Sequence, residues 1–176
     1  MNAISDEPSE ARVSHIVCTT DDFDPGKFRP HGRVEYEQQG RALWCTATGP
    51  FNAELVEALK ELATTVFPAM AAEGPWASIC TFRHSALCSP EVLAEFTGLI
   101  RQLAALSIAP TANAFILKPD IDGATLMRPL YEKCFRDGGV RYEAFTTAEQ
   151  AVQWAESLIG PLGGSDRPDQ TGAAGQ

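Results

Sequence analysis

The stretch that decides the fold is RVEYEQQGRALWCTATGPFNAE, residues 33–54. Two short runs with β-branched and aromatic residues flank Gln39-Gly40, where glycine supplies the positive φ that a tight hairpin turn requires. Gly49-Pro50 ends the second run, and Asn52 follows at a position where its side chain can cap the first free amides of a helix. The stretch therefore predicts two antiparallel strands that lead directly into a helix.

The alternation that begins there continues to Ile159. After the hairpin the order is helix, strand, helix, strand, helix, strand, helix, with Gly74-Pro75 before the third strand and Ser89-Pro90-Glu91 at the start of the second helix. Parallel strands need a helical crossover between them, and only the first pair is close enough in sequence to form a hairpin. We therefore expect an α/β layered domain with a mostly parallel sheet of about five strands, an N-terminal hairpin and about four helices.

Apolar residues at helical spacing indicate which helix faces are buried. The second helix carries the stripe Val92, Phe96, Leu99, Ile100 and Leu103, and the third carries Leu126, Met127, Leu130, Tyr131, Cys134 and Phe135. Asp122 is expected to cap the third helix, and Thr146-Thr147-Ala148-Glu149 is expected to form a capping box at the start of the fourth.

Composition divides the chain into three parts. Residues 1–32 mix Asp, Glu, Ser and Pro with few aliphatic residues, and 160–176 are rich in glycine and polar residues. Such segments bury too little apolar surface to offset the entropy of ordering them. We predict a flexible acidic arm over 1–32, one domain over 33–159 and a disordered tail over 160–176. Within the arm, residues 16–18 can add a short edge strand.

The net charge and the cysteine content indicate which binding partners and which cellular compartment to expect. The net charge of −9 argues against nucleic acid or an anionic membrane surface as a partner, because both would be repelled. The sequence shows no leader pattern and no stretch of about 20 apolar residues, so we expect no membrane span and a cytoplasmic protein. The five cysteines form no CxxC pair, which is typical of free thiols in a reducing compartment.

The order of elements, with Gly49, Asn52 and Glu54 at the turn into the first helix, resembles that of the STAS/SpoIIAA-like superfamily. Within it, residues 33–159 are most similar to bacterial SpoIIAA-like domain proteins. The other residues that carry the resemblance are Tyr36, Trp76, Ser89-Pro90-Glu91, Glu149, Ala151 and Trp154. The resemblance implies a SpoIIAA-like layered fold and a non-catalytic, regulatory role through a protein partner. The relation to CRAL-TRIO-type lipid-binding domains implies a small apolar ligand as the alternative.

Regulatory members of that superfamily carry a phosphorylated serine at the start of the second helix, inside a D-S-S-G-like turn. Here the corresponding residues 83–90 read RHSALCSP. Ser85 and Ser89 lie at roughly that place, so the resemblance implies them as phosphoacceptors, but the Asp-Ser-Ser-Gly motif is missing.

A candidate binding surface follows from the expected topology. In open α/β sheets, ligands bind beyond the carboxyl ends of the strands, where helix N-termini present free amides. The residues expected there are Arg83, His84, Ser85, Ser89, Lys118 and Asn52. Arg83, Lys118 and the amides at Ser89 can together hold a phosphate or carboxylate, so the expected partner is a protein or a small anionic or apolar ligand. In the alternative interpretation, Ser89 and Asn52 only cap helices, and the two basic residues are solvated strand ends.

Three possible ligands or nucleophiles follow one another at intervals of four residues: Cys80, His84 and Cys88. This spacing allows two interpretations, a metal site or a thiol nucleophile. The stretch crosses a strand end, so the spacing does not place the three on one face, and no metal site or cofactor is expected. An enzyme is the third alternative, a cysteine or acid/base hydrolase that uses His84, Cys88 or Asp120. A hydrogen bond between His84 and Cys88 would favour the enzyme, and a flat surface at Ser85 and Ser89 would favour a protein partner. A deep apolar cavity under the second and third helices would favour a lipid.

Overall fold

The computed structural model describes residues 17–22 and 30–163. Its strands are β1 (Val17–Thr19), β2 (Arg33–Gln39), β3 (Ala42–Thr48), β4 (Ala77–Arg83), β5 (Ala112–Ile116) and β6 (Tyr142–Phe145). Its helices are α1 (Ala53–Ala72), α2 (Pro90–Ala105), α3 (Ala124–Gly138) and α4 (Ala148–Ile159), and a short 3-10 turn covers Thr20–Asp22. The expected layered α/β architecture, with its N-terminal hairpin, is confirmed.

The six strands form one sheet in chain order, β1 to β6. The first three pair antiparallel, and β3, β4, β5 and β6 pair parallel. Because strand–helix–strand crossovers are right-handed and the order never reverses, α1, α2 and α3 lie on the same face of the sheet. The last helix, α4, follows the final strand and packs on the other face, against β4, β5 and β6.

The two faces of the sheet differ in the size of their side chains. Towards α1, α2 and α3 the strands present large residues such as Phe82 and Phe115. Towards α4 they present mainly alanine, and α4 meets them with Ala151 and Ala155, which are fully buried. Small side chains on both partners let α4 approach the sheet closely, whereas the larger residues hold the other three helices further away.

The helix caps follow the sequence in part. Asn52 and Ser89 cap α1 and α2, and the Asn52 side chain accepts a hydrogen bond from the Leu55 amide at 3.1 Å. The expected cap at Asp122 is wrong: α3 begins after Gly123, whose φ of 74° is left-handed, and Asp122 accepts from the Ser85 hydroxyl instead.

The capping box predicted at the start of α4 is also displaced. Thr147 caps the helix and accepts from the Gln150 amide at 3.3 Å, so the helix begins one residue later than the predicted box. The Thr146 hydroxyl donates to the Gln150 side chain.

Both ends of the described chain join the sheet. The expected edge strand is present at Val17–Thr19, antiparallel to β2. Thr20 is fully buried and accepts from the Val34 amide at 3.0 Å, so this part of the 1–32 segment belongs to the sheet. At the start of the 160–176 segment, the carbonyl of the buried Leu162 accepts from the Arg41 amide at 2.7 Å. The remaining predictions for these two segments fall on 1–16, 23–29 and 164–176, outside the described residues.

The predicted apolar stripes are correct except at three positions. In α2 the side chains of Val92, Leu99, Ile100 and Leu103 are buried as expected, but Phe96 is only half-buried. In α3, Leu126 and Leu130 are 64% and 37% exposed, because Met127, Tyr131 and Cys134 at spacings of four and three form the face that meets the core. Among the described helices, none is both long enough and apolar enough to cross a membrane.

Two helical glycines give a matched test of the packing between α2 and α3. A Cβ built on Gly138 would come within 2.3 Å of the Ile100 side chain, whereas a Cβ on Gly98 would meet nothing within 4 Å. We expect Gly138→Ala to lower the free energy of unfolding by about 1–3 kcal/mol through overpacking. Gly98→Ala should raise it by about 0.5–1 kcal/mol, because alanine is the better helix former. Urea titration of both variants measures the two changes, and changes of the same sign would contradict the α2–α3 contact.

Candidate functional site

A cavity of about 120 Å³ lies between the sheet and the three helices on its large-residue face. Strands β2 to β5 form its floor, and α1, α2 and α3 form its roof. An engineered apolar cavity of about 150 Å³ in another protein stays dry and binds benzene. The space here is therefore close to the volume that admits one aromatic ring.

Two of the polar side chains in the wall of this cavity already have backbone partners. Asn113 donates to the carbonyls of Pro110 and Arg141 at 3.3 and 3.0 Å. The Tyr131 hydroxyl donates to the Ala86 carbonyl at 2.8 Å. The rest of the wall is mainly aliphatic and aromatic, including Phe51, Phe67, Phe82, Phe96, Phe115 and Phe135. Such a wall offers dispersion contacts and few free hydrogen-bonding groups.

Small side chains explain why the space stays open. Ala47 on β3, Ala63 on α1 and Ala109 after α2 line the cavity at positions where a larger residue would fill it. The partly exposed residues of the lining, among them Leu59 on α1 and Phe96 on α2, form the mouth of the cavity. The partial exposure of Phe96, at odds with the sequence expectation, therefore belongs to the mouth of the cavity.

A row of thiols and a phenol crosses the cavity floor. Strand register aligns Cys18 with Tyr36, Tyr36 with Cys45, and Cys45 with Cys80, on four neighbouring strands. Tyr36, Cys45 and Cys80 are buried and line the cavity. The sulfur atoms of Cys45 and Cys80 lie 2.9 Å apart, so the two thiols are in direct contact.

Burial keeps Tyr36 and Cys45 protonated. It raises the pKa of the Tyr36 phenol well above its usual range, and the neighbouring thiols of Cys45 and Cys80 raise it further. The pKa of Cys45 is also raised well above that of a free thiol, first by burial and then by the hydrogen bond from Cys80. At neutral pH these two groups of the floor are therefore uncharged.

The predicted binding residues lie at the carboxyl edge of the parallel strands, but many of their groups are already engaged. The Asn52 side chain accepts from the amides of both Leu55 and His31, at 3.1 and 2.9 Å. The Ser89 hydroxyl accepts from the Val92 amide at 3.4 Å. Its hydrogen bond to Glu91 lowers the pKa of that carboxyl, so a carboxylate already lies at the N-terminus of α2.

Ser85 is buried, and its hydroxyl donates to Asp122 at 3.1 Å and accepts from the Leu87 amide at 3.2 Å. His84 beside it is exposed, in a left-handed conformation with φ of 61°. Of the two serines implied as phosphoacceptors, only Ser89 is exposed.

Arg83 and Lys118 are exposed, and within residues 17–22 and 30–163 no ion pair involves either of them. Arg83 follows Ala77 and Ile79 on the strand face that α4 covers, whereas α2 begins on the opposite face. The fold therefore does not direct Arg83 and the N-terminus of α2 to the same face of the sheet. Their joint role in binding an anion stays a prediction.

The hydrolase alternative requires a base next to the thiol. In the described part of the chain, no hydrogen bond joins His84 to Cys88, whose sulfur lies 3.7 Å from the Tyr131 hydroxyl. Burial raises the pKa of Cys88, which leaves the thiol protonated at neutral pH. Over the same residues, no three His, Cys, Asp or Glu side chains come together in a set that can hold a metal ion.

The sequence reasoning missed both the cavity and the thiol row. One signal pointed to the row: Cys45 and Cys80 each stand fourth in their strands, after Ala42-Leu43-Trp44 and Ala77-Ser78-Ile79. Two parallel strands with equivalent starting points place such residues side by side. The cavity has no comparable signal, because it depends on the volumes of side chains from seven different elements.

Similarity to known proteins does not assign this site. Comparison of the chain with models of protein families, with curated proteins and with solved structures gave no match. The resemblance of residues 33–159 to SpoIIAA-like domains therefore remains a hypothesis, and the site has to be argued from its own geometry.

The buried phenols and thiols predict a loss of stability at alkaline pH. In the unfolded chain a tyrosine ionises near pH 10 and a cysteine near pH 8.5, at about their reference values. Because the folded-state pKa values of Tyr36 and Cys45 are higher, the stability they contribute is complete below the unfolded-state values and is lost as the pH rises from there towards the folded-state values. We expect the free energy of unfolding to fall between about pH 9 and 11, and Tyr36→Phe to make that fall shallower. Urea titrations at each pH measure this, and a variant with an unchanged slope would contradict the burial of the Tyr36 phenol.

Proposed function

We propose that this protein binds a small apolar molecule, without transforming it, in the cavity between its sheet and α1, α2 and α3. The observation that carries the proposal is a space of about 120 Å³ whose wall is mainly aliphatic and aromatic, and in which the polar side chains of Asn113 and Tyr131 already have backbone partners. This favours the lipid-like ligand implied by the relation to CRAL-TRIO-type domains over a catalytic role. The cytoplasmic location expected from the sequence is part of the same proposal.

The energetic cost of the cavity supports this proposal. Empty space in a core costs about 24 cal/mol per Å³, so a cavity of about 120 Å³ costs about 3 kcal/mol. That is a large fraction of the total stability of an ordinary domain. A ligand that fills the space restores the lost dispersion contacts, so the protein gains stability when it is occupied.

The wall also defines the chemical class of the ligand. No lysine or arginine lines the cavity, so nothing in the described wall would compensate a buried carboxylate or phosphate. The phenylalanine rings of the wall contact one another in edge or tilted geometry, as in the pair Phe96–Phe135 with centroids 5.7 Å apart. Such a wall suits a neutral aromatic ring or a short branched alkyl chain, with any polar end at the mouth near Leu59.

A second proposal, which the exposed basic residues favour, is recognition of a protein partner at the carboxyl edge of the sheet. Arg83 ends β4 and Lys118 lies two residues beyond the end of the neighbouring parallel strand β5, and neither is neutralised by an ion pair within the described residues. A partner with an acidic surface would find two free cations there. Binding of a ligand in the cavity and recognition at this edge are compatible, because the two sites do not share these residues.

The test of ligand binding uses a pair of substitutions on α1. Ala63 is buried in the cavity wall, and Ala72 on the same helix is exposed. Benzene and a series of short branched alkanes should raise the melting temperature of the wild-type protein, by an amount that grows with concentration as mass action requires. Ala63→Leu should abolish that shift because leucine occupies the space, and Ala72→Leu should leave it intact.

Melting curves with and without each probe measure the shift. An equal shift in both variants would place binding outside the cavity. The absence of any shift in the wild-type protein across the series would refute the proposed function. Native mass spectrometry of protein purified under mild conditions then identifies a ligand that is retained from the host.

A further inference from the structure

The thiol pair on the cavity floor is the best-defined reactive group that the proposed function does not use. Cys45 on β3 and Cys80 on β4 are direct partners in the parallel register, and both are buried. Adjacent strands lie about 4.8 Å apart, which falls within the range of about 4.4–6.8 Å between the Cα atoms of disulfide-bonded cysteines. Their sulfur atoms are already 2.9 Å apart.

We propose that Cys45 and Cys80 form a reversible disulfide in the wall of the cavity, a redox modification site whose state is coupled to occupation of that cavity. The coupling rests on the proposed function, but the disulfide itself does not. It requires only the two neighbouring thiols and a small oxidant that enters the cavity through its mouth.

The other three cysteines are less suited to this reaction. Cys134 is buried, but its sulfur is 3.6 Å from the Leu93 carbonyl and does not line the cavity. Cys88 has the Tyr131 hydroxyl as its neighbour. Cys18 shares the row but is separated from Cys45 by Tyr36, which lies on the strand between them. The geometry therefore selects one pair out of five thiols.

The chemistry needs a peroxide, of which hydrogen peroxide is the simplest. One sulfur, as its thiolate, attacks a peroxide oxygen; the O–O bond breaks, a water forms and a sulfenic acid remains on the sulfur. Because burial raises the pKa of Cys45, this step is slow at neutral pH and becomes faster as the pH rises. The second sulfur attacks the first, the S–O bond breaks, and a second water leaves as the S–S bond forms. The two sulfurs lose two electrons in total, the peroxide gains them, and both thiol protons end in water. A dithiol such as dithiothreitol reverses the change by thiol exchange.

Occupation of the cavity and oxidation of the pair affect the same atoms. Cys45 and Cys80 line the cavity, so a bound molecule lies against the sulfurs and blocks the route of the peroxide. In return, the disulfide changes the shape of the floor that the molecule contacts. The block on the route of the peroxide changes the rate of oxidation. At equilibrium the coupling is reciprocal: if the ligand disfavours the disulfide, the disulfide weakens binding of the ligand by the same factor.

The experiment exposes the folded full chain to hydrogen peroxide, alkylates the remaining thiols and maps the peptides by mass spectrometry. The expected product has lost two of its five free thiols and about 2 Da, the mass of two hydrogens, with Cys45 linked to Cys80. Dithiothreitol should restore all five thiols. Cys134→Ser, at a buried cysteine outside the cavity, should behave like the wild-type protein, whereas Cys45→Ser and Cys80→Ser should form no internal disulfide.

A map that links any other pair, or that leaves Cys45 and Cys80 reduced in oxidised protein, would overturn the proposal. Because the wild-type map alone decides this, the test stands even where a serine variant fails to fold. Circular dichroism of the oxidised protein establishes that the bond forms in the folded state, and a bond that forms only on unfolding would count against the proposal.

The coupling is tested separately with benzene as the probe. Benzene should slow disulfide formation at least several-fold in the wild-type protein and leave Ala63→Leu unaffected. If benzene raises the melting temperature but the disulfide forms at an unchanged rate, the coupling is wrong. If benzene has no effect on either quantity while the disulfide still forms, the proposed function fails and the redox site stands.

Discussion

The parallel pairing of β3 with β4 is the interaction on which the rest of the structure depends. It turns an antiparallel hairpin into the start of a parallel sheet, and its right-handed crossover sends α1 to one face. Repeated twice more without reversal, the same step puts α2 and α3 beside α1. The register of that pairing also decides which side chains share a row, and so brings Cys45 next to Cys80 on the large-residue face.

The features predicted from sequence are those fixed by neighbouring residues. A hairpin at Gln39-Gly40 and caps at Asn52 and Ser89 depend on a few adjacent positions, and the structure has them. Asp122 does not cap α3 as expected, because its carboxylate accepts a hydrogen bond from Ser85, which lies in a distant loop. Leu126 is exposed because the packing against α2 and the sheet, which helical spacing alone does not specify, selects a different face of α3.

The candidate site likewise has one part that the sequence predicted and one part that it did not. Sequence reasoning placed Arg83, Ser89 and Lys118 at the carboxyl edge of the strands, which follows from topology alone. It did not reveal the cavity, which exists because Ala47 and Ala63 on different elements are too small to fill the space that the surrounding rings hold open. Such a void is a property of summed volumes in three dimensions. The sequence specifies the volume of each side chain, but the pattern of apolar and polar residues does not specify how these side chains are arranged in space.

The unequal packing of the two faces has a mechanical consequence. Under hydrostatic pressure a protein yields where it contains void, since unfolding or water entry there reduces the total volume. The alanine-lined contact between α4 and the sheet brings small side chains together closely, whereas the described cavity lies wholly on the other side. Compression therefore deforms the layer of α1, α2 and α3 before it deforms α4. The sheet separates a more compressible layer from a less compressible one. The layer of α1, α2 and α3 can therefore change its volume while the layer of α4 keeps its shape.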